Sequence, residues 1–293
     1  MTISRRANAE RASSLAQECR VGTRDPHRVR SDVPFIVGLC VLGSVYVLLI
    51  LGMLLADLSF TTPGNFLAAL RSEEIRYAIR LSLISSSLTA LLSVWIAVPI
   101  GYLMSRYPFR GKAILDAVLD IPIVLPPLVI GLSLLILFRT PVGRFIERFI
   151  PVTYAVPGII LAQWMVACAF AVRTMRTTFD QVSPRQEQVA LTLGCSQSQA
   201  FWQIVLPQAR RGILAAGTLA WARAMGEFGP ILIFSGATRM RTEVMPTSVF
   251  LELSVGNIEA AVAVSLLMVV AAVLVLLLVR LFGRTAALEA DRI

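Results

Sequence analysis

Long apolar runs alternate with short polar segments along most of this chain. A helix needs about 20 predominantly apolar residues to cross the roughly 30 Å hydrocarbon core of a bilayer. Six stretches reach that length, at about 34–56, 78–104, 114–138, 157–179, 213–235 and 257–281. The pattern therefore predicts an all-α, polytopic membrane protein with six transmembrane helices.

The same pattern predicts how the chain is divided. Residues 1–33 are polar and rich in arginine, which is typical of a disordered cytoplasmic tail. Residues 34–282 form the predicted transmembrane domain, and residues 283–293 form a short cytoplasmic C-terminal tail. A polar loop, residues 180–212, separates the fourth and fifth predicted spans.

Lysine and arginine residues in the connecting segments predict the orientation, because short cytoplasmic loops carry an excess of them. With the N-terminus inside, the inner segments hold 18 of these residues and the outer segments hold 8. Both termini and the loop 180–212 are therefore predicted to be cytoplasmic, where a cytosolic partner could reach the loop.

Composition supports a membrane protein with the lipid bilayer as its surroundings. The 293 residues are 56% hydrophobic and 15% charged, with a mean hydropathy of +0.74. A soluble domain carries about 25% charged residues. The net charge is +9, but the basic residues bracket apolar runs and do not form one patch, so no nucleic-acid partner is expected.

The loop 180–212 has the signals of two short helices. Ser183 is a suitable N-cap, Pro184 suits the first helical position, and Gln186 completes a capping box. Gly194 is predicted to end this first helix because glycine readily adopts the left-handed conformation.

A second capping box, Ser196 with Gln199, predicts another helix that ends at Leu206, before Pro207. Apolar residues recur at helical spacing on the two helices: Val189, Leu193, Phe201, Ile204 and Val205. The loop is therefore predicted to be a compact helix–turn–helix with apolar surface to bury.

Two predicted spans contain residues that are unusual in lipid. In the third, Pro122, Pro126 and Pro127 remove backbone donors and predict a kink, which fits either helix packing or a broken helix beside a transport path. In the fifth, Arg223 and Glu227 lie four residues apart on one helix face, which predicts an internal ion pair.

The second predicted span has small polar residues at helical spacing: Ser82, Ser86, Thr89 and Ser93. Close helix packing is the simpler interpretation, and the lining of a polar path is the alternative. The candidate residues of a translocation path or gate are Ser82, Ser86, Pro126, Arg223 and Glu227.

The spacing in the loop also resembles the EAA loop of ABC importer permeases. That family's pattern is Glu-Ala-Ala, three residues, Gly, nine residues, Ile, one residue, Leu-Pro. The positions that match are Ala190, Gly194, Ile204, Leu206 and Pro207. The chain departs from the pattern at Gln188 and Val189, and Glu187 lies one place before the position of the family's Glu.

Two further stretches resemble a narrower group within that family. The sequence WARAMGEFGP, residues 221–230, resembles the ARxxGEFG stretch of molybdate, tungstate and sulfate permeases. The third span, with Pro141-Val142-Gly143 after it, resembles molybdate permeases, whereas RMRTEVMP, residues 239–246, resembles the sulfate branch.

The resemblance implies the permease subunit of an ABC importer in a prokaryotic cytoplasmic membrane. The expected cargo is a tetrahedral oxyanion, molybdate or tungstate, with sulfate as the alternative. The implied partners are a pair of ABC ATPase subunits, a second, identical permease subunit, and a periplasmic or lipid-anchored oxyanion-binding protein. The implied ATPase-coupling residues are Glu187, Gln188, Ala190, Gly194, Ile204, Leu206 and Pro207.

The chain lacks the motifs of an ATPase or a metalloenzyme. It contains no GxxxxGK[ST] sequence, one histidine, and four cysteines without a CxxC spacing. We therefore expect no catalytic residue, cofactor or metal on this chain, and a separate ATPase partner. An ion-coupled secondary carrier with Glu227 as a relay is the remaining alternative, although no internal repeat supports it.

Overall fold

The computed structural model describes residues 33–290, and no β-strand occurs within that range. The predicted tail 1–33 lies almost wholly outside the described residues. The chain divides into two structural units, residues 1–56 and residues 57–293. The described part of the first unit is helix α1, Val33–Phe60, whose last four residues belong to the second unit. In that second unit, the predicted C-terminal tail 283–293 begins inside a helix that continues to Ala290.

The second unit is built from helices of very different length. The membrane-length ones are α3 (Glu73–Arg106), α7 (Val156–Gln181) and α14 (Ile258–Ala290). The others are α2 (Pro63–Arg71), α4 (Lys112–Val124), α5 (Pro127–Arg139), α6 (Pro141–Glu147), α8 (Pro184–Thr192), α9 (Gln197–Ala200), a π-helix (Phe201–Val205), α10 (Leu206–Gln208), α11 (Arg210–Met225), α12 (Gly229–Phe234) and α13 (Met245–Val255).

Four of the described helices are long and apolar enough to cross a membrane, and a bent pair raises the number to five. The bent pair is α4 and α5, whose axes differ by 111°. The kink predicted from the prolines is therefore confirmed, because Pro126 lies between the two helices and Pro127 begins the second.

The fifth predicted span, 213–235, is divided into two helices in the structure. The chain leaves the helix between α11 and α12, where Gly226 ends the first helix and Pro230 lies in the first turn of the second. Glycine weakens a helix and proline cannot donate a backbone hydrogen bond, so the two residues together separate the helices.

Helices α3, α7 and α11 form one core of the second unit. Its buried positions include several alanines, such as Ala97, Ala171 and Ala216, which allow helix backbones to approach closely. A Cβ atom added to Gly101 of α3 would lie 2.8 Å from the Cβ atom of Met175 in α7. The two backbones are therefore in direct contact near the C-terminal end of α3.

Helices α5, α7 and α12 form a second core, with Ile130, Ile159 and Phe234 among its buried residues. A Cβ atom on Gly131 would lie 2.8 Å from the Cα atom of Pro230, so α5 and α12 cross closely. This crossing brings the break between α4 and α5 beside the break between α11 and α12.

Candidate functional site

The turn of the loop 180–212 has the predicted conformation. Gly194 has a φ of +91°, in the left-handed region. Its N–H donates to the carbonyl of Leu191 at 3.1 Å, and the N–H of Cys195 donates to the carbonyl of Ala190 at 3.1 Å. These two bonds form a Schellman motif, which satisfies carbonyls at the end of α8.

The two predicted capping boxes have different outcomes. Ser183 occupies the N-cap position of α8, but its side chain makes no capping hydrogen bond, so the box with Gln186 is wrong. The second box is confirmed, because the N–H of Gln199 donates to the Ser196 hydroxyl at 3.2 Å and the Gln199 side chain accepts from the N–H of Ser196 at 2.8 Å.

The prediction that the second helix ends before Pro207 is also wrong. The chain widens into the π-helix Phe201–Val205, in which the N–H of Leu206 donates to the carbonyl of Phe201. The helix then continues through Pro207 to Gln208. Pro207 lacks the N–H that would donate a helical hydrogen bond. The wider π turn directly before it already changes the hydrogen-bond pattern, so the helix continues past the proline.

The loop exposes large apolar side chains on its outer surface. Val189, Leu193 and Trp202 are 56%, 80% and 63% exposed. Gln188 and Pro207 are also exposed, Ile204 is half-buried, and Ala190 is buried against the rest of the unit. The predicted apolar surface is therefore present, and its outer part is not covered by the described part of this chain.

Glu187, unlike its neighbour Gln188, lies inside the structure, with 8% of its surface exposed. Its carboxylate lies 3.2 Å from Nε of Arg106 at the end of α3 and accepts a hydrogen bond from the Tyr102 hydroxyl. Arg106 also donates to the carbonyl of Val182 at 2.8 Å. Sequence reasoning missed Tyr102 and Arg106, because the lysine and arginine residues of the connecting segments were used there only to predict orientation.

The predicted pair in the fifth span is formed. Arg223 Nη2 lies 3.5 Å from Oε2 of Glu227, and the guanidinium lies 5.6 Å from the ring centroid of Phe170. The Glu227 side chain is 2% exposed, whereas that of Arg223 is 36% exposed. Arg223 therefore keeps part of its surface open while its counter-ion is buried beside the α11–α12 break.

The small polar residues of α3 form hydrogen bonds with other parts of the chain. Ser82 and Ser86 are buried, and the Ser82 hydroxyl accepts from the N–H of Met245 at 2.7 Å. Thr89 donates to the side chain of Gln163 in α7 at 3.1 Å, and Gln163 donates to the carbonyl of Ala224 at 3.0 Å. These contacts favour the packing interpretation, and a path-lining role of Ser82 and Ser86 stays a prediction.

The start of the broken span is tied to α7 by two ion pairs. Asp116 pairs with Arg176, and Asp120 lies 3.8 Å from Arg173. The four side chains line a small cavity of about 100 Å³. Pro126, at the break itself, is exposed.

A second charged group lies at the opposite end of α3. Arg239 pairs with Glu74 and, at 2.8 Å, with Glu252. Glu243 nearby is fully buried, and burial raises the pKa of its carboxyl, an effect opposed by the hydrogen bond from Ser248. Among the side chains that the structure describes, no group of three or more His, Cys, Asp or Glu could hold a metal ion.

Known proteins resemble this chain over most of its length. A sulfate transport system permease protein, CysT of Salmonella typhimurium, is 30% identical over 232 residues, covering 78% of this chain and 84% of CysT. A probable molybdenum ABC transporter permease protein of Haloferax volcanii is 35% identical over 239 residues, covering 82% of this chain and 86% of that protein.

A solved structure has the same fold. A chain of a bacterial alginate ABC transporter superposes with a TM-score of 0.69 at 16% identity, covering 88% of this chain and 98% of that chain. The fold is that of a type I ABC importer permease. Residues 97–287 match the family described as "Binding-protein-dependent transport system inner membrane component". The chain therefore belongs to this family and is an ABC importer permease.

Proposed function

We propose that this permease carries a tetrahedral oxyanion, molybdate or tungstate, into the cell through the inner membrane. The observation that carries the proposal is the 35% identity to the Haloferax volcanii molybdenum permease over 82% of this chain. The 30% identity to the sulfate permease CysT supports the same shape and charge of cargo and makes sulfate the second candidate.

The route of the anion follows from the charges inside the membrane. A dianion cannot cross hydrocarbon unless polar groups or water surround it, and charged side chains in a span face the protein interior or a water-filled cavity. Arg223 is a part-exposed cation within the fifth predicted span, and a guanidinium binds an oxyanion through two parallel hydrogen bonds. In this proposal Glu227 balances Arg223 when no anion is present.

The breaks in the helices allow the half-helices to move and open the route. Backbone that leaves a helix at membrane depth is tolerated where it lines a cavity or is covered by protein. The breaks at Pro126 and at Gly226 lie beside each other because α5 crosses α12. In this proposal, a small rotation of one half-helix at the two breaks would open a route beside Arg223.

The loop 180–212 is the docking site of a separate ATPase, which hydrolyses ATP for the importer. Large apolar side chains outside the lipid mark a surface that binds another protein, and Val189 and Leu193 of the first loop helix are exposed side chains of this kind. Gln188, Gly194 and Pro207 are also exposed. Ala190 is buried and Ile204 is half-buried, so neither is a main part of the docking surface.

Two copies of the permease, two ATPase subunits and one external binding protein make up the proposed importer. Closure of the ATPase pair would push the two loops together. Packed helices respond to such a push by changing between discrete arrangements, because closely packed interfaces do not deform continuously. The anion released by the binding protein would then enter from outside, with both termini and the loop on the cytoplasmic side.

Purification of the chain from its native membrane in mild detergent tests this proposal. A P-loop ATPase that co-purifies at one copy per permease, together with an oxyanion-binding protein, is the expected result. Titration of that binding protein with molybdate, tungstate and sulfate identifies the cargo. Tight binding of sulfate alone would replace molybdate and tungstate by the second candidate.

The ion-coupled secondary carrier predicts a different outcome. The permease would be isolated without an ATPase, and it would transport its substrate in vesicles that contain an ion gradient and no ATP. That result would overturn the proposed coupling through the loop.

A further inference from the structure

We propose that Glu187, Arg106 and Tyr102 form a latch that fastens the first loop helix, α8, to the C-terminal end of α3. The side chains of Glu187 and Arg106 are 11% and 10% exposed, and they lie 3.2 Å apart. A carboxylate this deeply enclosed and already paired is not available to a partner protein. Glu187 is therefore a positioning residue within the permease, and the ATPase contacts other residues of the loop.

The same end of α3 also holds the second helix of the loop. The Tyr102 ring lies 4.7 Å from the ring centroid of Phe201, the first residue of the π-helix. The Tyr107 hydroxyl donates to the side chain of Gln197 at 3.2 Å. Tyr102 and Arg106 lie one helical turn apart, so one face of α3 contacts both loop helices.

The residues of the latch are in contact with the core of the second unit. One residue before Tyr102, Gly101 brings the backbone of α3 against Met175 and Arg176 of α7. The Tyr102 ring also packs against Phe179 of α7, with 5.6 Å between the centroids. A displacement of α8 would therefore move α3 and α7 together.

Without the latch, buried Ala190 and the chain connections would be the main attachments of α8 to the core. Ser183 provides no side-chain cap at the start of α8, and the single left-handed turn at Gly194 follows its end. We infer that the latch converts a push on α8 into movement of the membrane helices. This inference rests on the ATPase partner proposed above and is independent of which oxyanion is carried.

A double-mutant cycle in the complete importer tests the latch. The variants are Glu187→Gln, Arg106→Gln and the double change, with Tyr102→Phe as a milder variant that keeps the ring and removes the hydroxyl. Arg110→Gln is the matched control, because Arg110 is an exposed cation close to the same end of α3. The importer is reconstituted with its ATPase and binding protein, and anion uptake is measured per ATP hydrolysed.

We expect Glu187→Gln and Arg106→Gln to retain the ATPase and to lower uptake per ATP at least about fivefold, the lower limit of ordinary coupling between sites. The double variant should lose no more than the worse single variant, because the two residues act as one unit. Tyr102→Phe should lower the ratio less, and Arg110→Gln should leave it unchanged.

Three results would overturn the latch: an unchanged ratio in Glu187→Gln, losses that multiply in the double variant, or loss of the ATPase from Glu187→Gln with a normal ratio in the complexes that remain. If the glutamine variants do not insert, a normal ratio in Tyr102→Phe also counts against it. A failure of the proposed function is distinct, since the wild-type importer itself would then show no ATP-dependent uptake.

Discussion

Replacement of Gly194 by valine tests whether the geometry of the loop is needed for coupling. Gly194 has a φ of +91°, and no atom lies within 4 Å of the position that a Cβ atom would occupy. The substitution therefore causes no clash, and its whole effect is backbone strain. A non-glycine residue in the left-handed region costs about 1–2 kcal/mol, with β-branched residues at the unfavourable end.

A strain of this size changes the population of the native turn by a factor of about 5 to 30. The transmembrane helices do not depend on this turn, so the protein should still insert at a normal level. We expect Gly194→Val to lower coupling by up to this factor, measured as anion uptake per ATP hydrolysed in vesicles that contain the complete importer.

The matched control is Gly194→Asn, because asparagine tolerates the left-handed conformation. It should retain most of the coupling. Normal uptake per ATP by a fully expressed Gly194→Val protein would refute the reasoning. An equal loss in the asparagine variant would also refute it, because the side chain and not the backbone conformation would then be responsible.

Two further predictions concern the membrane helices. Arg223→Ala should harm assembly or transport more than Glu227→Ala, because it leaves a buried carboxylate uncompensated. The loss of stability should be less than the ~3–5 kcal/mol of a fully buried pair, since Arg223 is part-exposed. The double variant should exceed Arg223→Ala in transport and in yield of the complex, and no such rescue would count against the pair. Gly131→Ala should lower thermal stability in detergent by about 1–3 kcal/mol, because its Cβ atom would meet the backbone of Pro230. Gly217→Ala, whose Cβ atom would meet only a side chain at 3.4 Å, should be tolerated, and equal melting temperatures for the two alanine variants would contradict this explanation.

Sequence reasoning predicted best where a feature depends on neighbouring residues. The left-handed turn at Gly194 and the capping box at Ser196 are confirmed, since glycine conformation and side-chain reach act over a few residues. The pair Arg223–Glu227 is also confirmed, because the two residues are only four apart along the chain, although Glu227 lies just beyond the end of α11 and not on its face.

Local rules are less informative where several interactions compete. Pro207 has the chemistry of a helix terminator, yet the π-helix before it lets the helix continue. The fifth apolar run is long enough for one span, but Gly226 and Pro230 divide it. In both places the arrangement of backbone hydrogen bonds depends on several residues together, and a single proline or the length of an apolar run does not specify it.

The sequence by itself determined the membrane class, the helical loop and its turn, because apolar length and backbone conformation are local properties of the chain. Only the tertiary structure decided that Glu187 faces inward, since its partner Tyr102 is 85 residues away and Arg106 belongs to another helix. It also decided that the serines of α3 are buried between helices and that the two helix breaks lie together. Such contacts depend on how helices pack against one another, and spacing along a single chain does not specify that packing.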